Sequence, residues 1–276
     1  MNVLVLCISA IALEFLPTPK DEEITAYDGY HLVWHDEFNE NGMPSADWSY
    51  EEGFKRNHEL QWYQPQNASV KDGCLVIEGR KERVGEAEYT SSSLTTQHSH
   101  TFMYGRFEVR AKIPTARGSW PAIWTLGNMW EWPMNGEIDL MEYYIKNGKP
   151  SILANACWGS NRRWTAVWDE VVTPFSYFTE KDAEWAEKFH LWRMDWDETA
   201  IRIYLDGELL NEVDLAKTQN QGYNGNHENP FNTSTAGFGH YILLNLAIGS
   251  NGGVPDDAKF PLHYYIDYVR VYQKDK

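Results

Sequence analysis

Residues 132–145 read WPMNGEIDLMEYYI and place three carboxylates, Glu137, Asp139 and Glu142, within six positions whose other members are apolar. A helix turns once every 3.6 residues and would send Glu137 and Glu142 to different faces. A regular strand puts Glu137 and Asp139 on one side by its period of two, but turns Glu142 to the other. One extra residue at Leu140 or Met141, a β-bulge, returns Glu142 to the side of the other two acids. Ile138, Leu140, Tyr143 and Ile145 then share the opposite, core-facing side. The stretch predicts a bulged strand with an acidic face, and such bulges recur beside active sites.

Similar short runs fill the chain on both sides: YHLVWHDEF (30–38), GCLVIEGRKE (73–82), YGRFEVRAKI (104–113), FHLWRMDWD (189–197), IRIYLDGELLNEVDL (201–215) and YYIDYVRVYQ (264–273). They alternate or are rich in aromatics, and Gly, Asn, Asp and Pro turns separate them, which is the habit of a β-sandwich. Asp206-Gly207 lies between two such runs and predicts a tight hairpin. One helix is expected, near TEKDAEWAEKF (179–189). No repeat or linker interrupts residues 28–273. The expectation is a leader over residues 1–27 followed by one all-β domain, 28–276, of two packed antiparallel sheets with one face left concave as a cleft.

A net charge of −16 argues against a nucleic-acid or anionic-membrane surface, since both require a basic footprint. The chain holds 13 Trp and 16 Tyr, more rings than a core of this size needs, which suggests a ring-binding surface such as a sugar cleft. Cys7, Cys74 and Cys157 are far apart and show no metal-ligand spacing. The N-terminal MNVLVLCISAIALEFLP resembles the apolar part of a secretory signal with an Ala-x-Ala at Ala10–Ala12, although no Lys or Arg precedes it, and a lipidated Cys7 is the weaker alternative. It is too short to span a bilayer, so no transmembrane segment is expected. The expected protein is a monomer that is secreted, periplasmic or displayed at the cell surface.

Paired carboxylates a few ångströms apart are how enzymes break glycosidic bonds: one ionised as nucleophile, one protonated as acid. Crowding drives the proton affinities of like charges apart and makes that division natural. Glu137 and Glu142, leaning together around a bulge, predict the roughly 5 Å gap of a retaining enzyme. The same three acids could instead hold a metal or line a solvated face; the Trp-rich surroundings favour the sugar reading.

The segment GEIDLMEYY (136–144), preceded by GSWPAIWTLG (118–127) and EWPMN (131–135), resembles the catalytic region of glycoside hydrolase family 16, laminarinase-like branch, with its E-x-D-x-x-E on a bulged strand. The resemblance continues through LVWHDEFN (32–39), NHELQWYQPQNASVKDGCLVIEGRKE (57–82), YTSSSLTTQHSHTFMYGRFEVRAKIP (89–114), NLAIGSNGG (245–253) and IDYVRVYQ (266–273). It implies a β-jelly roll with an open cleft, with Glu137 as nucleophile, Asp139 as its assistant and Glu142 as acid/base. It implies glycone-side platforms at Trp120, Trp124 and Trp132, and polar cleft residues at Asn57 and Glu59. It also implies a structural calcium on the convex side, held by Glu37, the backbone of Gly73, and Asp267; no cofactor is expected for catalysis. One departure stands out. In SILANACWGSNRRW (151–164), Cys157 occupies the place of a family histidine, and its residue type suggests a small buried strand position. Trp158 would then supply a substitute sugar surface and Asn155 a hydrogen-bond donor. Arg106, His98 and His100 have no assigned role. The expected substrate is a β-glucan with 1,3 linkages, laminarin-type or mixed 1,3-1,4. A red-algal galactan is the alternative, and a non-catalytic carbohydrate-binding jelly roll is disfavoured because all three acids are kept.

Overall fold

The computed structural model describes residues 24–275. Its strands, in chain order, are β1 (Tyr30–Asp36), β2 (Ser49–Tyr50), β3 (Gln61–Tyr63), β4 (Ala68–Lys71), β5 (Cys74–Gly79), β6 (Tyr89–Ser91), β7 (Ser93–Thr95), β8 (Gly105–Lys112), β9 (Ser119–Gly127), β10 (Glu137–Lys146), β11 (Lys149–Gly159), β12 (Ala166–Pro174), β13 (His190–Trp196), β14 (Ala200–Leu205), β15 (Glu208–Asp214), β16 (His240–Ile248) and β17 (Leu262–Lys274). One antiparallel sheet runs β15-β14-β13-β8-β17-β5-β4, with β1 also on β17. The other runs β12-β11-β10-β9-β16-β7-β2, and β3 and β6 form a small parallel pair. This is the expected two-sheet sandwich, with the acidic strand β10 inside the second sheet.

The inner faces of the two sheets enclose the main core, which includes Leu75, Ile77, Phe107, Val109, Ile123, Ile138, Trp192, Ile203, Leu244, Ile266 and Val269, all nearly or fully buried. Each such side chain stabilises the fold by about 1.5–3 kcal/mol relative to leaving it in water. The turn at Asp206-Gly207 is the expected hairpin: Leu205 faces Glu208, and both turn residues have positive φ, 48° and 84°. That geometry is the type I′ turn, whose twist matches the strands it joins. The single α-helix among the described residues, α1 (Ser176–Lys181), starts earlier than expected and stops at Asp182, and Trp185–Glu187 form only a 3-10 turn.

Residues 1–23, and with them most of the expected leader, lie outside the described residues. Tyr27 is docked on the convex sheet: its hydroxyl donates to Glu108 at 2.5 Å, its ring packs edge-on to Tyr272, and Arg106 lies 4.3 Å above it. Glu108 is 1% exposed, and a buried carboxylate needs such a donor. Arg106 is also paired with Asp195 through two hydrogen bonds. His100 stacks on Phe102 and meets Asp47, and His98 is exposed.

The carboxylates named for calcium are each paired with an arginine. Glu37 accepts from Arg270 through both carboxylate oxygens, at 2.8 Å each, and Asp267 is paired with Arg110. Gly73 sits with φ +78° in the β4–β5 turn. Among the described residues no group of three or more His, Cys, Asp or Glu is gathered as a metal site. No helix among them is long and apolar enough to cross a membrane.

Candidate active site

The bulge in β10 is where the acid spacing requires it. Against β9, Asp139 faces Trp124 and Met141 faces Ile123; against β11, Asp139 faces Asn155 and Glu142 faces Leu153. Leu140 and Met141 both sink into the main core, at 1% and 0% exposure, and this double insertion turns Glu142 back to the side of Glu137 and Asp139. Gly136, at φ +77°, immediately precedes the strand; a side chain there would strike Pro230 and Phe231. Only glycine takes that turn without strain.

The acids lie on the floor of a cleft of about 540 Å³, in the size range of small-molecule sites. Trp120, Trp124, Trp132, Asn57 and Glu59 line it. Two of the tryptophans also hold the acids. Trp120 Nε1 donates to Glu142 Oε1 at 2.9 Å, and Trp132 Nε1 donates to Glu137 Oε2 at 2.8 Å. Trp124 Nε1 donates instead to Asn245 at 2.7 Å, and the Arg56 guanidinium lies 5.0 Å above its ring. Asn155 is buried behind the acids and donates to Glu142 Oε2 at 3.2 Å and to Asp139 at 3.5 Å. Glu59 is buried and accepts from Asn57, Gln61 and Tyr63, so it braces Asn57, whose backbone is left-handed at φ 58°.

Trp158 is corrected. It belongs to the main core, because it follows Cys157 on β11 and therefore points to the other side of the sheet. Cys157 itself is fully buried, opposite Glu137, and burial together with the three acids raises its thiol far above the usual range, so it is an inert packing residue. The indole on the cleft side is Trp168 of β12, opposite Cys157. Trp168, Arg56, Glu51, Tyr144 and Asn245 all line the cleft and were not singled out in the sequence. The parity that puts Trp168 beside Cys157 becomes visible only with the β11–β12 register.

Charge is graded across the site. Burial pushes Glu137 up to about 7, against the hydrogen bond from Trp132 and the positive charge of Arg56. Burial and the neighbouring Glu137 push Glu142 up to about 8, against the hydrogen bonds from Trp120 and Asn155. Burial, then Glu142 and Glu137, raise Asp139 well above the usual carboxylate range, and a hydrogen bond shared with Glu137 favours its neutral form. Arg56, whose own partner is Glu51, is thus a permanent cation on the nucleophile's side. The arrangement can present one carboxylate as nucleophile while a second, on the same face, keeps a proton to give.

The model of the family "Glycosyl hydrolases family 16" matches residues 54–238. A beta-glucanase of Rhodothermus marinus is 32% identical over 262 residues, covering 88% of this chain and 85% of its own length. The Clotting factor G alpha subunit of Tachypleus tridentatus is 32% identical over 253 residues, 88% of this chain, and the chain spans only 34% of that longer protein. Among solved structures, SCLam, described as a non-specific endo-beta-1,3(4)-glucanase, superposes with a TM-score of 0.75 at 35% identity, covering 94% of this chain and 96% of that one.

Proposed function

The chain belongs to glycosyl hydrolases family 16, and from that premise we propose that it is a retaining endo-hydrolase of β-glucans containing 1,3 linkages, laminarin-type or mixed 1,3-1,4. The observation that carries this reading is the pair Glu137 and Glu142 on one cleft face of a bulged strand, each held by an indole N–H.

In the first step the Glu137 carboxylate attacks the anomeric carbon while Glu142 gives its proton to the departing glycosidic oxygen. A covalent glycosyl-enzyme results. Glu142, now ionised, takes a proton from water, whose oxygen attacks the same carbon and releases Glu137. Asp139 keeps its proton and donates to Glu137, which lowers the charge crowded at the floor and orients the nucleophile. Asn155 and Trp120 fix the carboxyl of Glu142 between the two half-reactions. Trp124 and Arg56 form a wall beside the glycone, and the half-buried indole of Trp132, whose N–H is on Glu137, is the face on which a flat all-equatorial glucose ring packs its C–H side. An axial hydroxyl of galactose would need room and a polar partner of its own at that place, so glucan is favoured. The polymer is met outside the cytoplasm in this reading.

Reducing-end release across a polysaccharide panel tests it. Laminarin and mixed-linkage glucan should be cut, the latter at a comparable or greater rate, and agarose, porphyran, carrageenan and cellulose should release almost nothing. Proton NMR of the first product should show the β-anomer. Strong release from agarose or porphyran with neither glucan cut would overturn the substrate, and a first-formed α-anomer would overturn retention.

A further inference from the structure

We propose that Trp168 is the acceptor-side sugar platform of this cleft, the surface on which the leaving part of the chain stacks; the proposal rests on the glycosidase reading above. Leu126, Glu137, Cys157 and Trp168 lie directly opposite one another on β9, β10, β11 and β12. Residues opposite one another in an antiparallel sheet point to the same side, so this row runs straight across the cleft floor. Trp168 is two strand spacings, about 10 Å, from the nucleophile. That places it past the first ring beyond the broken bond, on the other flank of β10 from Trp124 of β9 and the Arg56 above its ring.

The indole is open to a ligand. Trp168 is 45% exposed, whereas Trp120 and Trp124 are 6% and 7% exposed, their rings packed among neighbours. Between Trp168 and Glu137 stands only the small, buried Cys157, so the floor is low there and a chain can descend onto the ring. β12 is also the edge strand of its sheet, so a long polymer leaves the cleft over it without obstruction from another strand. Beside the ring, in the next row, Glu170 faces Asn155 and is paired with Lys146 at 2.6 Å. This ion pair offers both acceptors and donors to the hydroxyls of a ring whose C–H face lies on the indole. The chemistry suits a neutral oligosaccharide, since the charges of Lys146 and Glu170 cancel.

The test compares two substrates that share the glycone. One is the glucan; the other is 4-nitrophenyl β-laminaritrioside, whose nitrophenolate leaves without a sugar on the acceptor flank. Trp168→Ala should lower kcat/KM for the glucan at least tenfold more than for the nitrophenyl glycoside, mainly through KM, and Trp168→Phe should recover most of the loss. Equal losses on both substrates, or unchanged glucan kinetics, would overturn the platform and leave the catalytic reading standing. A wild-type protein that hydrolyses neither substrate would overturn the catalytic reading, and the platform with it.

Discussion

The indole of Trp120 donates its Nε1–H to Oε1 of Glu142 at 2.9 Å. This bond favours the ionised carboxylate, opposing the burial that raises its proton affinity to about 8. Trp120→Phe removes the donor and keeps a ring. The alkaline limb of the kcat/KM profile should then move to higher pH, with kcat about tenfold lower. A lowered kcat with an unmoved alkaline limb would show that the indole serves only to bind sugar.

Glu137→Gln and Glu142→Gln should each lower turnover by several orders of magnitude, because each removes a bond-making or proton-transfer step. Azide should rescue Glu137→Gly and yield an α-glycosyl azide, whose anomer NMR identifies. Ordinary activity in either Gln variant would reverse the assignment. Asp139→Asn should cost less than either, since both reacting groups remain.

The pH profile should be a bell set above the ordinary carboxylate range. Glu137 must be ionised, so activity should rise as pH rises through about 7; Glu142 must be protonated, so it should fall through about 8. An acid limb near pH 4–5, the usual carboxylate range, would mean that burial does not act on the nucleophile as the structure indicates.

The same raised proton affinity has a consequence for stability. A carboxyl group that binds its proton more tightly when folded stabilises the fold fully at low pH, and that contribution is lost as pH rises from the unfolded value near 4.5 toward about 8. Glu142→Gln is neutral throughout, so it should melt at least about 3 °C above the wild type at pH 8, a difference of about 1 kcal/mol for a chain of this size. The gap should close by pH 4. Equal melting temperatures at both pH values would show that Glu142 is well solvated.

Tyr27→Phe should destabilise the protein by about 1–3 kcal/mol, because it leaves the buried Glu108 without its hydroxyl donor. Chemical denaturation measures it. A change within experimental error would place Tyr27 outside the cooperative fold.

What the sequence by itself determined was local. The odd spacing from Asp139 to Glu142, set against apolar Ile138, Leu140 and Tyr143, admits one regular solution, a bulged strand with three acids on a face, because strand parity is a property of the chain alone. The Asp206-Gly207 hairpin follows equally from backbone preference. Pairing between strands decided the rest. Within GSNRRW and its neighbours nothing tells whether Trp158 or Trp168 meets the substrate, since each parity is sound until β11 is laid against β10 and β12; the register then sends Trp158 to the core and Trp168 to the cleft. Arg56 reaches Trp124, and Tyr27 reaches Glu108, only because distant segments fold onto the same surfaces. The carboxylates of Glu37 and Asp267 were legible as oxygen donors, but the arginines that occupy them came from other strands. Charge partners across a sandwich are chosen by three-dimensional proximity, and a linear pattern does not encode that distance.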